Sequence, residues 1–243
     1  MITVEETDGV AVVSLEHGKV NALDLDLLQA ITTTVNGLAD ARALVITGAG
    51  RAFSAGVDLR RMVNEGPPYV AAFLPALSEA LLAVFDRPGP VVAAVNGHAI
   101  AGGAILAMAC DVRFMSGGTI GLTELLVGVP FPAAPYGIAA HVCGPRLQSL
   151  MLTGRTVGPD EALAMGVVDA IVGPDDVLTR AIAQATALAA IDPDTYADTK
   201  ARLHAPASVL IRTLAGRDPE VIATWQSDKV LSGMRAYLDS LAR

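Results

Sequence analysis

Two glycine-marked turns decide how this chain folds: RAFSAGVDL at residues 51–59 and NGHAIAGGAILAMACD at residues 96–111. Each turn joins an apolar run typical of a buried strand to a stretch typical of a helix. The start of a helix leaves backbone N–H groups without intrahelical acceptors, and such groups bind anions. A lone acid, Glu124, follows in the apolar run IGLTELLVG. Together the three segments predict a site that stabilises negative charge on an oxygen atom.

The alternation of strands and helices around these turns predicts an α/β fold with crossover connections. Upstream, ITVEETDGVAVVSLEH alternates apolar and polar residues, which predicts a hairpin turning at Asp8-Gly9. Residues 24–38 have apolar positions at helical spacing, with Asp24 as the expected N-cap. Residues 69–85 predict another helix, and Pro75 predicts a break or a new start within it.

The last part of the chain is more charged and predicts two or three helices. We therefore divide the chain into a core, residues 1–193, and a helical C-terminal region, residues 194–243. This region contains large apolar residues, including Trp225, Met234 and Leu241, that need a surface to cover them. A partner subunit is the surface we expect.

Composition narrows the classes of function. The 243 residues are 52% hydrophobic and carry a net charge of -8, with a pI near 4.9. This charge argues against a general nucleic-acid or anionic-membrane surface, although a local basic patch for a phosphorylated ligand is allowed. Both cysteines, Cys110 and Cys143, lie in apolar segments, and the opening MITVEETDGV is unlike a signal peptide. We expect reduced thiols and a cytoplasmic protein.

Two other classes are disfavoured by local pattern. Residues 91–110 have no formal charge, and the segment is as long as a membrane span, which needs ~20 residues. Asn96, Gly97 and the Gly102-Gly103 pair interrupt them, which favours a strand, a turn and a buried helix. The four histidines lack metal-ligand spacing, so we expect no metal centre.

Simpler explanations exist for each site residue. Gly48-Ala49-Gly50 superficially matches part of a dinucleotide-binding fingerprint, but Phe53 stands where its third glycine belongs. The Gly56 turn could be an ordinary connection from strand to helix. Glu124 could be an acid in a first helical turn capped by Thr123. Each segment taken alone is a weak signal.

Taken in order and spacing, RAFSAGVDL, NGHAIAGGAILAMACD and IGLTELLVGVPFP resemble the signature segments of the crotonase superfamily, the enoyl-CoA hydratase and isomerase group. KVNAL at residues 19–23 resembles the family's segment that approaches coenzyme A. The resemblance covers residues 2 to at least 172. It implies a crotonase-like ββα spiral with a C-terminal helical trimerisation region. The expected assembly is a homotrimer or a hexamer formed as a dimer of trimers.

The resemblance also implies roles for individual residues. The backbone N–H groups of Val57 and Gly102 match the two oxyanion donors, and Glu124 matches a catalytic acid. The residues that match the family's coenzyme A contacts are Lys19, Arg51 and Ala55. Those that match its acyl pocket are Ile105, Leu122 and Val129. Arg51 and Lys19 would otherwise be ordinary solvated surface cations. Coenzyme A is part of the acyl-CoA substrate, and no further cofactor is expected.

Ile105 departs from the hydratase pattern. Hydratases of this family carry a glutamate at that position and a second one at the position of Glu124. Isoleucine can neither hold water nor move a proton, and the setting of Glu124 is similar to that in 3,2-trans-enoyl-CoA isomerases. Leu122, Leu125 and Leu126 are expected to raise the pKa of Glu124.

The leading hypothesis is isomerisation of a 3-enoyl-CoA to the 2-enoyl-CoA, in which one carboxylate moves one proton. Hydration of a 2-enoyl-CoA with a single acid is an alternative within the same superfamily. A non-catalytic acyl-CoA-binding protein is an alternative from a different class.

Overall fold

The computed structural model describes residues 1–7 and 9–241. In chain order the strands are β1 (Ile2–Thr7), β2 (Val10–Leu15), β3 (Ala43–Gly48), β4 (Ala52–Ser54), β5 (Val91–Val95), β6 (His98–Ile100), β7 (Val112–Met115), β8 (Ile120–Gly121), β9 (Thr156–Val157) and β10 (Ala170–Ile171). The helices are α1 (Leu25–Gly37), α2 (Leu59–Phe85), α3 (Gly102–Met108), α4 (Ala133–Cys143), α5 (Leu147–Met151), α6 (Pro159–Ala164), α7 (Val177–Ala189), α8 (Pro193–Leu214), α9 (Asp218–Trp225) and α10 (Asp228–Leu241). The order of strands and helices confirms the predicted α/β class.

The larger sheet has six strands in the order β1-β2-β3-β5-β7-β10. The first two strands form the predicted antiparallel hairpin, and the remaining neighbours pair in parallel. Gly9 has the positive φ of 77° that a tight turn needs, whereas Asp8 lies outside the described residues. The two central strands β3 and β5 are wholly buried, because α7 covers one face and the main core covers the other.

The smaller sheet positions the site. Its order is β4-β6-β8-β9, in which β4, β6 and β8 run parallel and β9 is antiparallel to β8. Strand β5, the turn, strand β6 and helix α3 occupy residues 91–108, so the uncharged stretch is interrupted as its breakers predict.

Helix α2 differs from the predicted helix in its start and in its break. It begins at Leu59, capped by Asp58, and its non-helical residue is Gly66 (φ 69°, ψ −155°) rather than Pro75. Pro67 and Pro68 follow the glycine and begin the second helical stretch, where missing N–H groups cost little. Pro75 lies on an exposed face, where water can solvate the carbonyl group that loses its donor.

Helix α2 is also long and apolar enough to cross a membrane, with a mean hydropathy of 1.6 over its most apolar window. Half of that window is buried within the protein. Phe73, Leu77 and Leu81 on this helix belong to the main core. This packing is typical of a core helix.

The C-terminal helices pack against their own chain. Trp225 is 2% exposed and donates its Nε1–H to the Pro130 carbonyl oxygen, while Met234 is fully buried. The expectation that these two side chains need a partner subunit is therefore wrong, because α9 and α10 fold back onto the core and α2. The side chain of Leu241 lies outside the described part. The division at residue 193 stays a prediction.

Candidate active site

Three segments of the predicted site lie at one edge of the small sheet. Gly56 and Val57 follow β4, Gly102 follows β6, and Glu124 follows β8. These strands are parallel neighbours, so their carboxyl ends lie side by side. Ligands of open parallel sheets bind outside the carboxyl ends of the strands. The topology thus brings together segments that are about 70 residues apart in sequence.

The first turn exposes one backbone donor. In the segment 55–58, Ala55 N–H donates to the Val20 carbonyl oxygen, Gly56 N–H to the Ser54 Oγ, and Asp58 N–H to the Leu23 carbonyl oxygen. Val57 N–H has no acceptor among residues 1–7 and 9–241. A parallel bridge between Leu23 and Val57 holds the turn in this conformation. The neighbouring amides are therefore occupied, and the Val57 amide is left for a ligand.

The second turn exposes another donor at the start of α3. Ala101 precedes the helix with φ 51°, a conformation that costs energy for a residue with a side chain. The first intrahelical bond at this end is from Ile105 N–H to the Ala101 carbonyl oxygen. Gly102 N–H has no acceptor within the described ranges. It is one of the unsatisfied donors that every helix start presents.

The two turns are in direct contact. Gly56 has φ 80°, and a Cβ there would overlap the carbonyl oxygen of Ile100. A Cβ at Gly102 would lie 3.7 Å from Val57 Cγ2, which places the two donor residues side by side. A Cβ at Gly103 would lie 2.7 Å from Ser54 Cβ. The glycines are needed here because the turns approach each other more closely than side chains allow.

Glu124 begins a short 3₁₀ helix, Glu124–Val127, and is 8% exposed. Its Oε2 atom has no hydrogen-bond partner within the described chain, and Thr123 makes no side-chain capping bond. Burial raises the pKa of this carboxyl from 4.5 to about 8, because the charged form loses water. A carboxyl group with this pKa exchanges protons readily near neutral pH.

The apolar neighbours match the prediction only in part. Ile105, Leu122 and Val129 are all buried, and their role in an acyl pocket stays a prediction. Leu122 is fully buried, whereas Leu125 and Leu126 are 40% and 57% exposed and are therefore less able to exclude water from Glu124 than expected. The tight turn of the 3₁₀ helix directs these two side chains outward while Glu124 points into the protein.

The predicted coenzyme A residues lie around the first turn. Lys19 and Arg51 are exposed, and Ala55 is half-buried. The bond from Ala55 N–H to the Val20 carbonyl oxygen places Ala55 next to the segment that carries Lys19. Arg51 lies in the tight turn before β4. These positions leave both cations accessible to a phosphorylated ligand.

Sequence reasoning missed Asn21 and Ser54. Asn21 is 1% exposed and has φ 50°, and Ser54 is fully buried. Both connect the segment 19–23 to the first turn. An asparagine within KVNAL could have indicated a left-handed residue, since asparagine tolerates positive φ better than most residues.

A cavity of about 600 Å3 lies elsewhere, between α1, α2 and α9. Leu74, Glu79 and Val221 are among its lining residues, and no predicted site residue lines it. We place the site at the sheet edge instead, because the two free donors and the buried acid converge there.

Two adjacent backbone donors together with a buried carboxylate form an arrangement that can stabilise an oxyanion and move a proton. The model of the enoyl-CoA hydratase/isomerase family matches residues 5–242. The chain therefore belongs to this family and has the crotonase fold.

Individual relatives include both activities of the family. Mouse mitochondrial enoyl-CoA delta isomerase 1 is 30% identical over 250 residues, covering 99% of this chain and 86% of the relative. The crystal structure of human mitochondrial delta3-delta2-enoyl-CoA isomerase superposes with a TM-score of 0.92 at 27% identity, covering 99% of this chain and 98% of that one. An enoyl-CoA hydratase from Mycobacterium marinum superposes with a TM-score of 0.82 at 30% identity, covering 90% and 99% of the two chains.

Proposed function

We propose that this protein isomerises a 3-enoyl-CoA to the 2-enoyl-CoA. The observation that carries the proposal is Glu124, the carboxylate in the described residues that is buried with an unpartnered oxygen. Ile105, at the position where the resemblance places a second glutamate in hydratases, is fully buried and apolar. One buried acid is enough to move a proton within a substrate, whereas adding water also requires a group that holds the water.

The site divides the work between backbone and side chain. The Val57 and Gly102 N–H groups donate to the thioester oxygen and stabilise the negative charge that develops on it. Glu124 removes a proton from the alpha carbon, and the electron pair moves into a dienolate that extends over the double bond. Glu124 then returns the proton to the gamma carbon, which leaves the double bond between the alpha and beta carbons. The carboxylate ends in its starting protonation state.

Hydration of a 2-enoyl-CoA is the second candidate, and the likeness to the Mycobacterium marinum hydratase favours it. Parallel assays separate the two reactions: isomerisation of a 3-enoyl-CoA and addition of water to crotonyl-CoA. We expect isomerisation to be the faster reaction, and Glu124→Ala to abolish it. Faster hydration would reject our assignment, and undiminished isomerisation by the variant would reject the role of Glu124.

A non-catalytic acyl-CoA-binding protein would bind acyl-CoA and turn over no enoyl chain. Turnover of any 3-enoyl-CoA that depends on Glu124 excludes this possibility. For the assembly we propose a homotrimer or a dimer of trimers, which the molar mass from light scattering tests. We also propose a cytoplasmic location, which fractionation of cells tests.

A further inference from the structure

We infer that Asn21 is a positioning residue that holds the Val57 N–H in its donor orientation. The effect of Asn21 on catalysis rests on the proposed function. Its effect on the conformation of segment 55–58 does not. Asn21 lies in the turn between β2 and α1 and contacts no part of α3 or of the Glu124 segment through its hydrogen bonds.

The Asn21 side chain connects two loops. Its Nδ2 group lies 3.0 Å from the Ala52 carbonyl oxygen and 3.3 Å from those of Ala49 and Phe53, all of which accept. Its Oδ1 accepts from His17 N–H at 2.9 Å. Both ends of the amide are therefore satisfied in a 1% exposed position, where a lost partner leaves a polar group buried without a hydrogen bond.

The backbone of Asn21 continues the connection toward the donor. Its carbonyl oxygen accepts from the Ser54 hydroxyl at 2.7 Å, and the same hydroxyl oxygen accepts from Gly56 N–H at 3.2 Å. Two residues later, Leu23 N–H donates to the Gly56 carbonyl oxygen at 2.7 Å. The Leu23 carbonyl oxygen accepts from Asp58 N–H at 2.9 Å.

These bonds occupy the groups on both sides of Val57 and leave its N–H free. Apart from the first residues of α2, which donate to Asp58, the hydrogen-bond partners of segment 55–58 in the described chain are Val20, Leu23 and Ser54. Asn21 lies between the first two of these and fixes their path. Its φ of 50° reverses the chain so that Val20 and Leu23 both face the turn. Apart from the Asn21 amide and the Ser54 hydroxyl, no side-chain hydrogen bond joins residues 19–23 to residues 49–54 within the described chain.

The catalytic consequence follows from the geometry that a donor needs. Removing one donor from an oxyanion site reduces the rate about 10²- to 10³-fold. Displacing a donor by a fraction of an ångström causes a smaller reduction of the rate. The loss concerns charge that develops in the transition state. Disturbing Asn21 should therefore lower kcat and leave KM nearly unchanged.

Asn21→Gly is the decisive variant, because glycine adopts φ 50° without strain while it removes the amide. Asn96→Ala is the matched control. Asn96 Oδ1 accepts from Gly48 N–H at 3.2 Å, and its Nδ2 donates to the Gly50 carbonyl oxygen at 3.1 Å. Asn96 therefore also binds the turn before β4, but its side chain makes no hydrogen bond to segment 55–58 within the described chain. Ser54→Ala removes only the hydroxyl bridge and should have a smaller effect than Asn21→Gly.

Three measurements test the inference on the full chain. We expect Asn21→Gly to lower kcat for 3-enoyl-CoA about 10- to 100-fold with KM within about threefold, since the donor stabilises the charged transition state far more than the neutral carbonyl of the bound substrate. Infrared spectra should show that the carbonyl stretch of bound butyryl-CoA shifts less from its free value than with the wild type. Amide hydrogen exchange at Ala55 and Asp58 should accelerate in Asn21→Gly and stay unchanged in Asn96→Ala.

The outcomes separate this inference from the proposed function. Exchange at Ala55 and Asp58 that matches the Asn96→Ala control would overturn the positioning role, whatever the enzyme catalyses. A kcat within twofold of the wild type would overturn its catalytic consequence. A wild type that converts no 3-enoyl-CoA would reject the proposed function, while accelerated exchange in Asn21→Gly would still support the positioning role.

Discussion

Two carboxylates with little exposure to water have opposite surroundings: Asp111, whose side chain is 11% exposed, and Glu124, which is 8% exposed. Asp111, after α3, forms an ion pair with Lys200 at 2.9 Å and accepts from Val91 N–H at 2.8 Å and the Tyr196 hydroxyl at 3.1 Å. Glu124 has an oxygen with no partner in the described chain. Both carboxylates lose most of their contact with water, but only that of Asp111 gains an ion pair and hydrogen bonds in its place. The number of partners therefore separates an acid that stabilises the fold from one that is available for chemistry.

The largest expected effect is on activity when Glu124 is changed. Glu124→Gln keeps the size of the side chain and removes its titration, so isomerisation should fall at least ~10²-fold and up to ~10⁴-fold, the range for general acid-base catalysis. Steady-state kinetics with a 3-enoyl-CoA measure this. Glu220→Gln, an exposed position on α9, is the control and should retain full activity. Equal rates for the two variants would contradict the distinction.

The second effect is on stability when Asp111 loses its cation. Lys200→Met leaves a largely buried carboxylate without its partner, which should lower the free energy of unfolding by about 3–5 kcal/mol. Arg202→Met on the same helix breaks an exposed pair with Asp198 and should cost less than about 1 kcal/mol. Denaturant unfolding of both variants tests the comparison. Similar losses would show that Asp111 is not stabilised through its burial with Lys200.

The third effect is the pH dependence of stability. The pKa of Glu124 is raised in the folded state, so the folded protein binds this proton more tightly than the unfolded chain does. The contribution of this proton to the free energy of unfolding is fully present below pH 4.5 and is lost as the pH rises to about 8. Glu124→Gln removes this loss and should be more stable than the wild type by up to roughly 3 kcal/mol at pH 7.

Unfolding curves of the wild type and Glu124→Gln between pH 4 and pH 9 measure this difference. The two curves should differ least at the acid end. A difference that stays constant over the whole range would show that the Glu124 carboxyl titrates alike in both states.

The smallest effect is the pH dependence of the rate. Glu124 must be ionised to accept a proton, and its pKa of about 8 leaves a minority of molecules active at pH 7. We expect kcat/KM to rise about tenfold per pH unit below that value and to level off above it. The rate profile of the wild type measures the pKa directly. A plateau that begins near pH 5 would mean that substrate-free Glu124 is solvated.

The sequence predicts these features unequally. The hairpin, the cap at Asp24 and the buried strands follow from local periodicity and capping, and the structure confirms them. The break in α2 lies at Gly66 and not at Pro75, because Pro75 is tolerated on an exposed face, whereas Gly66-Pro67-Pro68 is itself a local breaker signal. Long-range burial has no local signal: nothing near Trp225 indicates that the Pro130 carbonyl oxygen will accept its N–H.

The candidate site shows the same limit. Glycine turns predict free donors, and family resemblance selects Val57 and Gly102, but only the parallel pairing of β4, β6 and β8 brings the segments together. The directions of Leu125 and Leu126 could not be read from composition, because a 3₁₀ turn places neighbours on different faces. The acceptors of the Asn21 Nδ2 group lie 28 to 32 residues away in sequence.

Both proposed oxyanion donors, at Val57 and Gly102, are backbone N–H groups, which limits what a mutation can remove. Every amino acid except proline supplies the same N–H group, so replacing the Val57 side chain cannot delete the donor. A saturation library at Val57 should thus contain many active variants of moderate size and an inactive proline variant. At the Gly102-Gly103 pair, by contrast, tolerance is limited by the space beside Leu23 and Ser54. The backbone N–H of Val57 is therefore kept by every substitution except that to proline.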